Sequence, residues 1–140
     1  MIFVVDASVA VRWFTGEPSP QAEEVLEAMV AAPGRFAVPE LFLFECFSVL
    51  TRIVRNGREV FEDGIMPVLD GGVYRAPLTT ALARLAEGFV QRGLTGYDAC
   101  YAALARDLGG AWLTFDRKAA GRVGACGRAV LLDAGERIGL

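Results

Sequence analysis

Short apolar runs recur along the chain, and each is bounded by turn-forming or charged residues. Such runs are typical of buried strands in a parallel sheet, which are apolar on both sides because helices cover both faces. The runs that predict strands, of which the third is weak, cover residues 2–5, 36–38, 73–74, 111–115 and 129–132.

The longer segments between these runs carry start and stop signals of helices. Ser19-Pro20 predicts an N-cap followed by proline at the first helical position, and Pro33-Gly34 predicts the end of that helix. Thr95 predicts the N-cap of a later helix, which Gly109-Gly110 ends. The predicted helices, the third of them weakened by an internal glycine and proline, cover about residues 20–31, 39–56, 59–69, 79–91, 97–108 and 117–123.

The alternation of strands and helices predicts an α/β fold. We expect a three-layer α/β/α sandwich around a mostly parallel sheet of four to five strands. The chain has 140 residues and shows no linker or repeat, so we expect a single domain over residues 1–140. Its apolar runs are far shorter than the about 20 residues that a membrane-spanning helix needs, so no membrane segment is expected.

The amino-acid composition narrows the possible chemistry. The chain has no histidine, which excludes Ser-His-Asp and Cys-His catalysis. Its three cysteines lack the spacing of a zinc site, and we expect them to be reduced, as in the cytoplasm. Catalysis would therefore use carboxylates, hydroxyls, arginine or a bound metal. The net charge of −3 differs from the basic excess that is usual for nucleic-acid binding.

Four acidic residues lie where the predicted fold brings ligands together. Asp6 and Asp116 follow predicted strands, and the carboxyl ends of parallel strands meet at one edge of a sheet. Glu45 and Asp98 lie on predicted helices near that edge. Each acid also has a structural alternative: an N-cap for Asp6 and Asp116, a solvated helix face for Glu45, and a capping box with Thr95 for Asp98.

The joint arrangement of the four acids favours a metal site. Converging carboxylates repel one another unless they are protonated or bridged by a cation. Oxygen ligands of this kind select Mg²⁺ or Mn²⁺. Such an ion can generate a nucleophile from water and stabilise the charge on a phosphodiester under attack, which supplies chemistry without histidine.

Four segments of the chain resemble those of PIN-domain ribonucleases, and among them the VapC toxins of bacterial toxin–antitoxin pairs. The segments are Val4–Ser8, Pro39 with Glu45 six residues later, Gly96–Ala105, and Leu113–Asp116. The similarity runs in order over nearly the whole chain. Ser48 departs from the pattern, because the family often has Asn three residues after the helix acid.

The resemblance implies an α/β/α sandwich that binds Mg²⁺ or Mn²⁺ and cuts RNA endonucleolytically. It also implies inhibition by a small cognate antitoxin protein and, frequently, a homodimer. The implied metal ligands and catalytic acids, followed by the supporting hydroxyls, are Asp6, Glu45, Asp98, Asp116, Thr114 and Ser8.

Two other functions stay open at this point. A PIN-like fold could bind RNA or a protein without cutting either. A phosphohydrolase of another α/β family could use Asp6 as its nucleophile, although haloacid-dehalogenase-type phosphatases normally have an acid two residues further on, where this chain has Ser8.

Overall fold

The computed structural model describes residues 1–16, 19–133 and 138–140, and in them one sheet of five strands. The strands are β1 (Phe3–Val5), β2 (Phe36–Pro39), β3 (Tyr74–Ala76), β4 (Ala111–Thr114) and β5 (Ala129–Leu131). Their order in the sheet is β3-β2-β1-β4-β5, and every neighbouring pair is parallel. The predicted α/β fold with a parallel sheet is thereby confirmed.

Helices connect consecutive strands and cover the sheet. They are α1 (Ala7–Ala10), α2 (Pro20–Ala31), α3 (Leu41–Ile53), α4 (Gly57–Val60), α5 (Met66–Asp70), α6 (Thr80–Gln91), α7 (Gly96–Asp107) and α8 (Arg117–Val123). The chain winds outwards from β1 to β3 and then returns to the other side of β1 for β4 and β5. Right-handed connections therefore put α1–α5 on one face and α6–α8 on the other.

The direction of winding reverses between the neighbouring strands β1 and β4. In open α/β sheets, ligands bind in the crevice beyond the carboxyl ends of the strands at such a reversal. Asp6 directly follows β1, and Asp116 lies two residues after the end of β4. The backbone N–H of Asp6 donates to the Leu113 carbonyl at 3.0 Å, which continues the ladder and holds Asp6 at this edge.

The helix starts follow the capping signals of the sequence. Ser19 Oγ accepts a hydrogen bond from the Ala22 N–H at 3.3 Å at the start of α2, and Thr95 Oγ1 accepts one from the Asp98 N–H at 3.1 Å at the start of α7. Each side chain satisfies a backbone donor that the first helical turn leaves without a partner. In the part of the chain that the structure describes, no helix has the length and apolar character to span a membrane.

The segment predicted as one helix over residues 59–69 has a different form. It is α4, a π-helical turn over Phe61–Ile65, and α5. Pro67 has no N–H to give to a regular α-helix, and a wider turn before it accommodates this break. Gly64 packs against the ring of Phe14 so closely that a Cβ would lie 2.5 Å from the ring. The glycine and the proline thus reshape the helix instead of ending it.

Candidate active site

Asp6 is the most buried of the four candidate acids, with 9% of the residue exposed. Its Oδ2 accepts a hydrogen bond from the Ser8 N–H at 2.9 Å and so caps α1, while its Oδ1 accepts one from the Trp112 indole Nε1–H at 3.2 Å. Burial raises the pKa of Asp6 and the charge of Asp98 adds to this, whereas the bonds from Ser8 and Trp112 lower it in part. Capping of α1 therefore uses only Oδ2, one of the two carboxylate oxygens of Asp6.

Glu45 lies on α3 and is half-buried, so it does not belong to a fully solvated face. The hydroxyl of Tyr101 donates to its Oε1 at 2.7 Å. Burial raises the pKa of Glu45, and the charges of Asp6 and Asp98 raise it further, against the effect of the Tyr101 hydrogen bond. Ser48, which stands where the PIN ribonucleases often have Asn, is exposed three residues further on.

Asp98 and Asp116 complete the group from α7 and from the start of α8. Asp98 is half-buried in the first turn of α7. Burial raises its pKa, the charge of Asp116 raises it further, and hydrogen bonding by the Thr95 side chain lowers it. Asp116 is exposed, and its Oδ1 caps α8 by accepting from the Ala119 N–H at 2.9 Å. The caps predicted at the starts of α1, α7 and α8 are therefore observed. They do not prevent the acids from affecting one another's pKa.

These electrostatic effects connect all four carboxylates. Asp98 raises the pKa of both Asp6 and Glu45, and Asp116 raises that of Asp98. Because such effects fall off with distance, Asp6, Glu45 and Asp98 lie near one another at the carboxyl edge of the sheet, and Asp116 lies near Asp98, with which it lines one hollow. The structure thus brings together the four acids that the sequence singled out.

Two hydroxyls hold the backbone of the loop between β4 and α8. Thr114 is fully buried, and its Oγ1 accepts from the Asp116 N–H at 3.0 Å. Ser8 Oγ accepts from the Phe115 N–H at 3.2 Å and links this loop to α1. The guanidinium carbon of Arg12 lies 3.7 Å from the centre of the Phe115 ring, a cation–π contact that holds a positive charge near the acids.

Two depressions flank the acids on the surface. One, of about 160 Å³, contains Asp98 and Asp116 together with the cations of Lys118 and Arg122. The other, of about 340 Å³, is lined by Leu41, Phe44, Glu45, Ser48, Val49 and Tyr97. The acids therefore lie between a mixed-charge hollow and a more apolar one.

The chemistry of this donor set fits a divalent cation. Its ligands would be hard carboxylate oxygens. Burial and, to a smaller extent, repulsion from the neighbouring acids raise the pKa of Asp6, Glu45 and Asp98, and a bound cation would favour their ionised forms. The side chains are not closed around an ion: within residues 1–16, 19–133 and 138–140, no group of three acidic or cysteine residues is arranged to hold a metal as it stands.

Sequence reasoning assigned no role to Trp112 or Tyr101, although both touch the acids. For Trp112, the signal was its position within an apolar strand, because a buried indole N–H needs a hydrogen-bond acceptor nearby. Tyr101 lies three residues after Asp98 and therefore on the same face of α7.

Comparison with known proteins decides the family. The family model described as PIN domain matches residues 3–124, most of the chain. The chain belongs to the PIN domain family. No curated protein matches it in sequence.

Solved structures share the fold of this PIN domain at low sequence identity. The FitAcB structure from Neisseria gonorrhoeae has a TM-score of 0.72 and 13% identity, covering 91% of this chain and 96% of that one. VapBC2 from Rickettsia felis, bound to a DNA fragment from its promoter, has a TM-score of 0.69 and 15% identity, covering 95% of this chain and 100% of that one. VapC20 from Mycobacterium tuberculosis, a Sarcin-Ricin loop cleaving toxin, has a TM-score of 0.65 and 20% identity, covering 85% of this chain and 93% of that one.

Proposed function

We propose that this PIN domain is a metal-dependent endoribonuclease and the toxin of a toxin–antitoxin pair of the VapC type. The observation that carries the proposal is the group of four carboxylates, in which Asp98 repels the other three, at the point where the winding of the sheet reverses. The similar structures from toxin–antitoxin systems, one of them described as a Sarcin-Ricin loop cleaving toxin, support the choice of RNA as substrate.

The four acids would divide the work between the ion and the water. Asp6, Asp98 and Asp116 would hold Mg²⁺ or Mn²⁺, directly or through water, and Glu45 would hold the ion or orient the attacking water. The bound ion supplies a water of lowered pKa and stabilises charge on the phosphodiester. This assignment explains why the chain can dispense with histidine.

The protein's own groups would orient the water and the RNA. Because Tyr101 donates to Oε1 of Glu45, Oε2 is the oxygen left to orient a water or accept its proton. Arg12, fixed on the Phe115 ring, would hold a phosphate of the RNA through its guanidinium.

The proposal also resolves the unusual charge of the chain. With the four site acids assigned to metal binding, the remaining charged residues comprise 14 basic and 13 acidic side chains. The acidic balance then reflects the site and not a surface that repels RNA.

A cognate antitoxin and a second copy of the chain are the proposed protein partners. Large apolar side chains are exposed around the hollow that contains Glu45: Phe44 at 72% and Tyr97 at 66% line it, and Leu78 at 65% lines an adjoining hollow with Tyr97. Exposed apolar groups of this kind are typical of protein–protein contacts. Light scattering on the purified chain is expected to give about twice its mass of 15.0 kDa, and a mass of one chain would contradict the homodimer.

One observation favours a second candidate function. Because the described residues contain no preformed metal-binding group, a PIN domain that binds RNA or protein without cutting it is the alternative. A phosphohydrolase with Asp6 as nucleophile is disfavoured, since the chain matches the PIN family model and has Ser8 where haloacid-dehalogenase-type phosphatases normally have a second acid.

Cleavage of RNA under controlled metal conditions tests the proposal. The purified chain is incubated with total RNA in Mn²⁺, in Mg²⁺ and in excess EDTA, and the fragment ends are mapped. We expect discrete internal cuts with either metal and none in EDTA. Full cleavage in EDTA would contradict metal dependence, and RNA binding without cleavage would establish the alternative.

A further inference from the structure

Two fully buried aromatic residues hydrogen-bond to acids of the candidate site from the core side. The rings of Tyr101 on α7 and Trp112 on β4 are stacked, with centroids 5.9 Å apart and planes 13° from parallel. Both residues are 0% exposed, yet each gives its polar hydrogen to a different site acid, Tyr101 to Glu45 at 2.7 Å and Trp112 to Asp6 at 3.2 Å. The apolar core and the acidic site are thus joined through two hydrogen bonds.

The fold determines which side chains meet in this way. Trp112 is the register partner of Val4 on the neighbouring parallel strand, so the two side chains lie on the same face of the sheet. Asp6 follows Val4 by two residues, which returns its side chain to that face. Tyr101 lies on α7, which packs over β1 and β4 on the same face. Register and helix packing therefore aim the Trp112 indole at Asp6 and stack the Tyr101 ring on the Trp112 ring. Glu45 reaches the Tyr101 hydroxyl from α3, on the other face of the sheet.

Trp13, the second tryptophan of the chain, shows what an indole needs for stability alone. Its Nε1–H donates to the Ala22 backbone carbonyl at 2.8 Å, an ordinary way to satisfy a partly buried donor. The bond from Trp112 instead goes to a carboxylate whose other oxygen already caps α1 through Ser8. The Trp112 bond therefore adds nothing to helix capping, and its effect falls on the orientation of Asp6.

We propose that Trp112 and Tyr101 are positioning residues, which hold the carboxylates of Asp6 and Glu45 in the orientation that binds the divalent cation. The inference rests on the proposed metal-dependent activity. Neutral donors suit this role, because an arginine or lysine in their place would bring a positive charge that competes with the cation. Outer hydrogen bonds of this kind commonly set metal affinity in proteins.

The burial of both aromatic groups supports the assignment. Both residues are 0% exposed, so bulk water does not compete for the Trp112 indole N–H or the Tyr101 hydroxyl. A buried donor of this kind needs an acceptor within the protein, and each of the two has a site acid as that acceptor.

Nuclear magnetic resonance of the unmodified chain provides the first test. The two indole N–H groups give separate ¹H–¹⁵N signals, which the variants Trp112→Phe and Trp13→Phe assign. On titration with Mg²⁺ alone, we expect the Trp112 signal to shift with the ion concentration and the Trp13 signal to stay in place. An unmoved Trp112 signal while the ion binds would overturn the role of Trp112.

Matched phenylalanine variants provide the second test. Trp112→Phe and Tyr101→Phe keep an aromatic ring and remove only the donor and the ring atoms that carry it. We expect each to weaken Mn²⁺ binding about 10- to 100-fold, the usual effect of losing an outer-shell partner, whereas Trp13→Phe stays within about twofold of the unmodified chain. In RNA cleavage at saturating Mn²⁺, Tyr101→Phe is expected to lower kcat and to leave KM unchanged, because Glu45 acts on the ion or the attacking water and not on RNA binding.

The outcomes separate this inference from the function on which it rests. If the unmodified chain binds Mn²⁺ and cuts RNA but all three variants match it, the positioning role is wrong and the nuclease stands. If the unmodified chain neither binds the ion nor cuts RNA, both are wrong. Thermal unfolding of each variant shows whether it is folded, and the Mg²⁺ titration of the unmodified chain decides the role of Trp112 even if its variant does not fold.

Discussion

Two acids are buried among residues 1–16, 19–133 and 138–140, and they differ in what surrounds them. Glu24 on α2 is 7% exposed, and its two oxygens accept from the backbone N–H groups of Ile138 and Leu140 at 2.8 and 2.9 Å. Asp6 is 9% exposed and also accepts two N–H bonds, but its neighbours include Asp98, which raises its pKa. Burial and hydrogen bonding alone do not mark a functional acid. What marks Asp6 is its place at the carboxyl edge of the sheet, where the charge of Asp98 adds to the effect of burial on its pKa.

The difference has opposite consequences for stability. Glu24 ties the last residues of the chain to α2, and hydrogen bonds to a charged group contribute about 1.5–3 kcal/mol each. Burial and the charge of Asp98 make the ionised form of Asp6 less favourable in the folded chain than in the unfolded chain. The chain thus uses one buried carboxylate to stabilise the fold and keeps the other in a strained electrostatic state that a ligand can relieve.

The largest expected effect separates these two acids by activity. Asp6→Asn is predicted to lower RNA cleavage in Mn²⁺ by about 10³-fold, since an ion that stabilises the transition state is worth several kcal/mol. Glu24→Gln is the matched control and is predicted to keep its kcat. Initial rates on one RNA at saturating Mn²⁺ measure both. Equal rates for Asp6→Asn and the unmodified chain would contradict the distinction.

The variant that is expected to keep its activity, Glu24→Gln, is expected to lose stability. Glu24→Gln leaves one acceptor oxygen for two backbone donors, so one N–H loses its partner at a cost of about 1–3 kcal/mol. Denaturant unfolding without metal measures this loss. An unchanged midpoint would show that the contact with the end of the chain does not stabilise the fold.

The pH dependence of stability provides a further prediction for the metal-free protein. Asp6, Glu45 and Asp98 have pKa values raised above the 3.8 and 4.5 of the unfolded chain, chiefly by burial. Between neutral pH and the pKa values of the unfolded chain, the folded state therefore binds more protons than the unfolded state. The contribution of these three acids to the free energy of unfolding grows as the pH falls through that range. Melting curves in EDTA between pH 7.5 and 5 are expected to show it. Saturating Mg²⁺ should oppose the trend, because protons displace the ion.

The smallest effect concerns the repulsion within the site. Asp98→Asn removes a charge that raises the pKa of both Asp6 and Glu45, and is predicted to raise the metal-free Tm by roughly 3–5 °C, about 1 kcal/mol for a chain of this size. Glu23→Gln is the control, since Glu23 is also a first-turn acid but belongs to α2, away from the site. A Tm no higher than that of the control would show that the repulsion is weak.

The strands and helices could be predicted because their signals are local. Ser19 and Thr95 predict helix starts because their own side chains can cap a helix, and both caps are observed. The run at residues 73–74 looked weak because β3 lies at residues 74–76, where Arg75 interrupts the apolar pattern while pairing with Glu40. The π-helical turn depends on Gly64 meeting Phe14, a contact between distant parts of the chain that no local pattern contains.

The site could be predicted only in part, for the same reason. Asp6 and Asp116 end strands, and a parallel sheet brings such ends together, so their proximity follows from fold class. The donors to the acids come from far along the chain: 106 residues separate Trp112 from Asp6, and 56 separate Tyr101 from Glu45. Their partners follow from register and helix packing, which the three-dimensional structure alone provides.

Calorimetric titration of the metal-free chain with Mn²⁺ tests most directly the claim that the acids of the carboxyl edge form a metal site. The unmodified chain and Glu24→Gln are expected to bind the ion with the same affinity, and Asp6→Asn is expected to show no saturable binding. Equal binding by Asp6→Asn, or no binding by the unmodified chain, would contradict the claim.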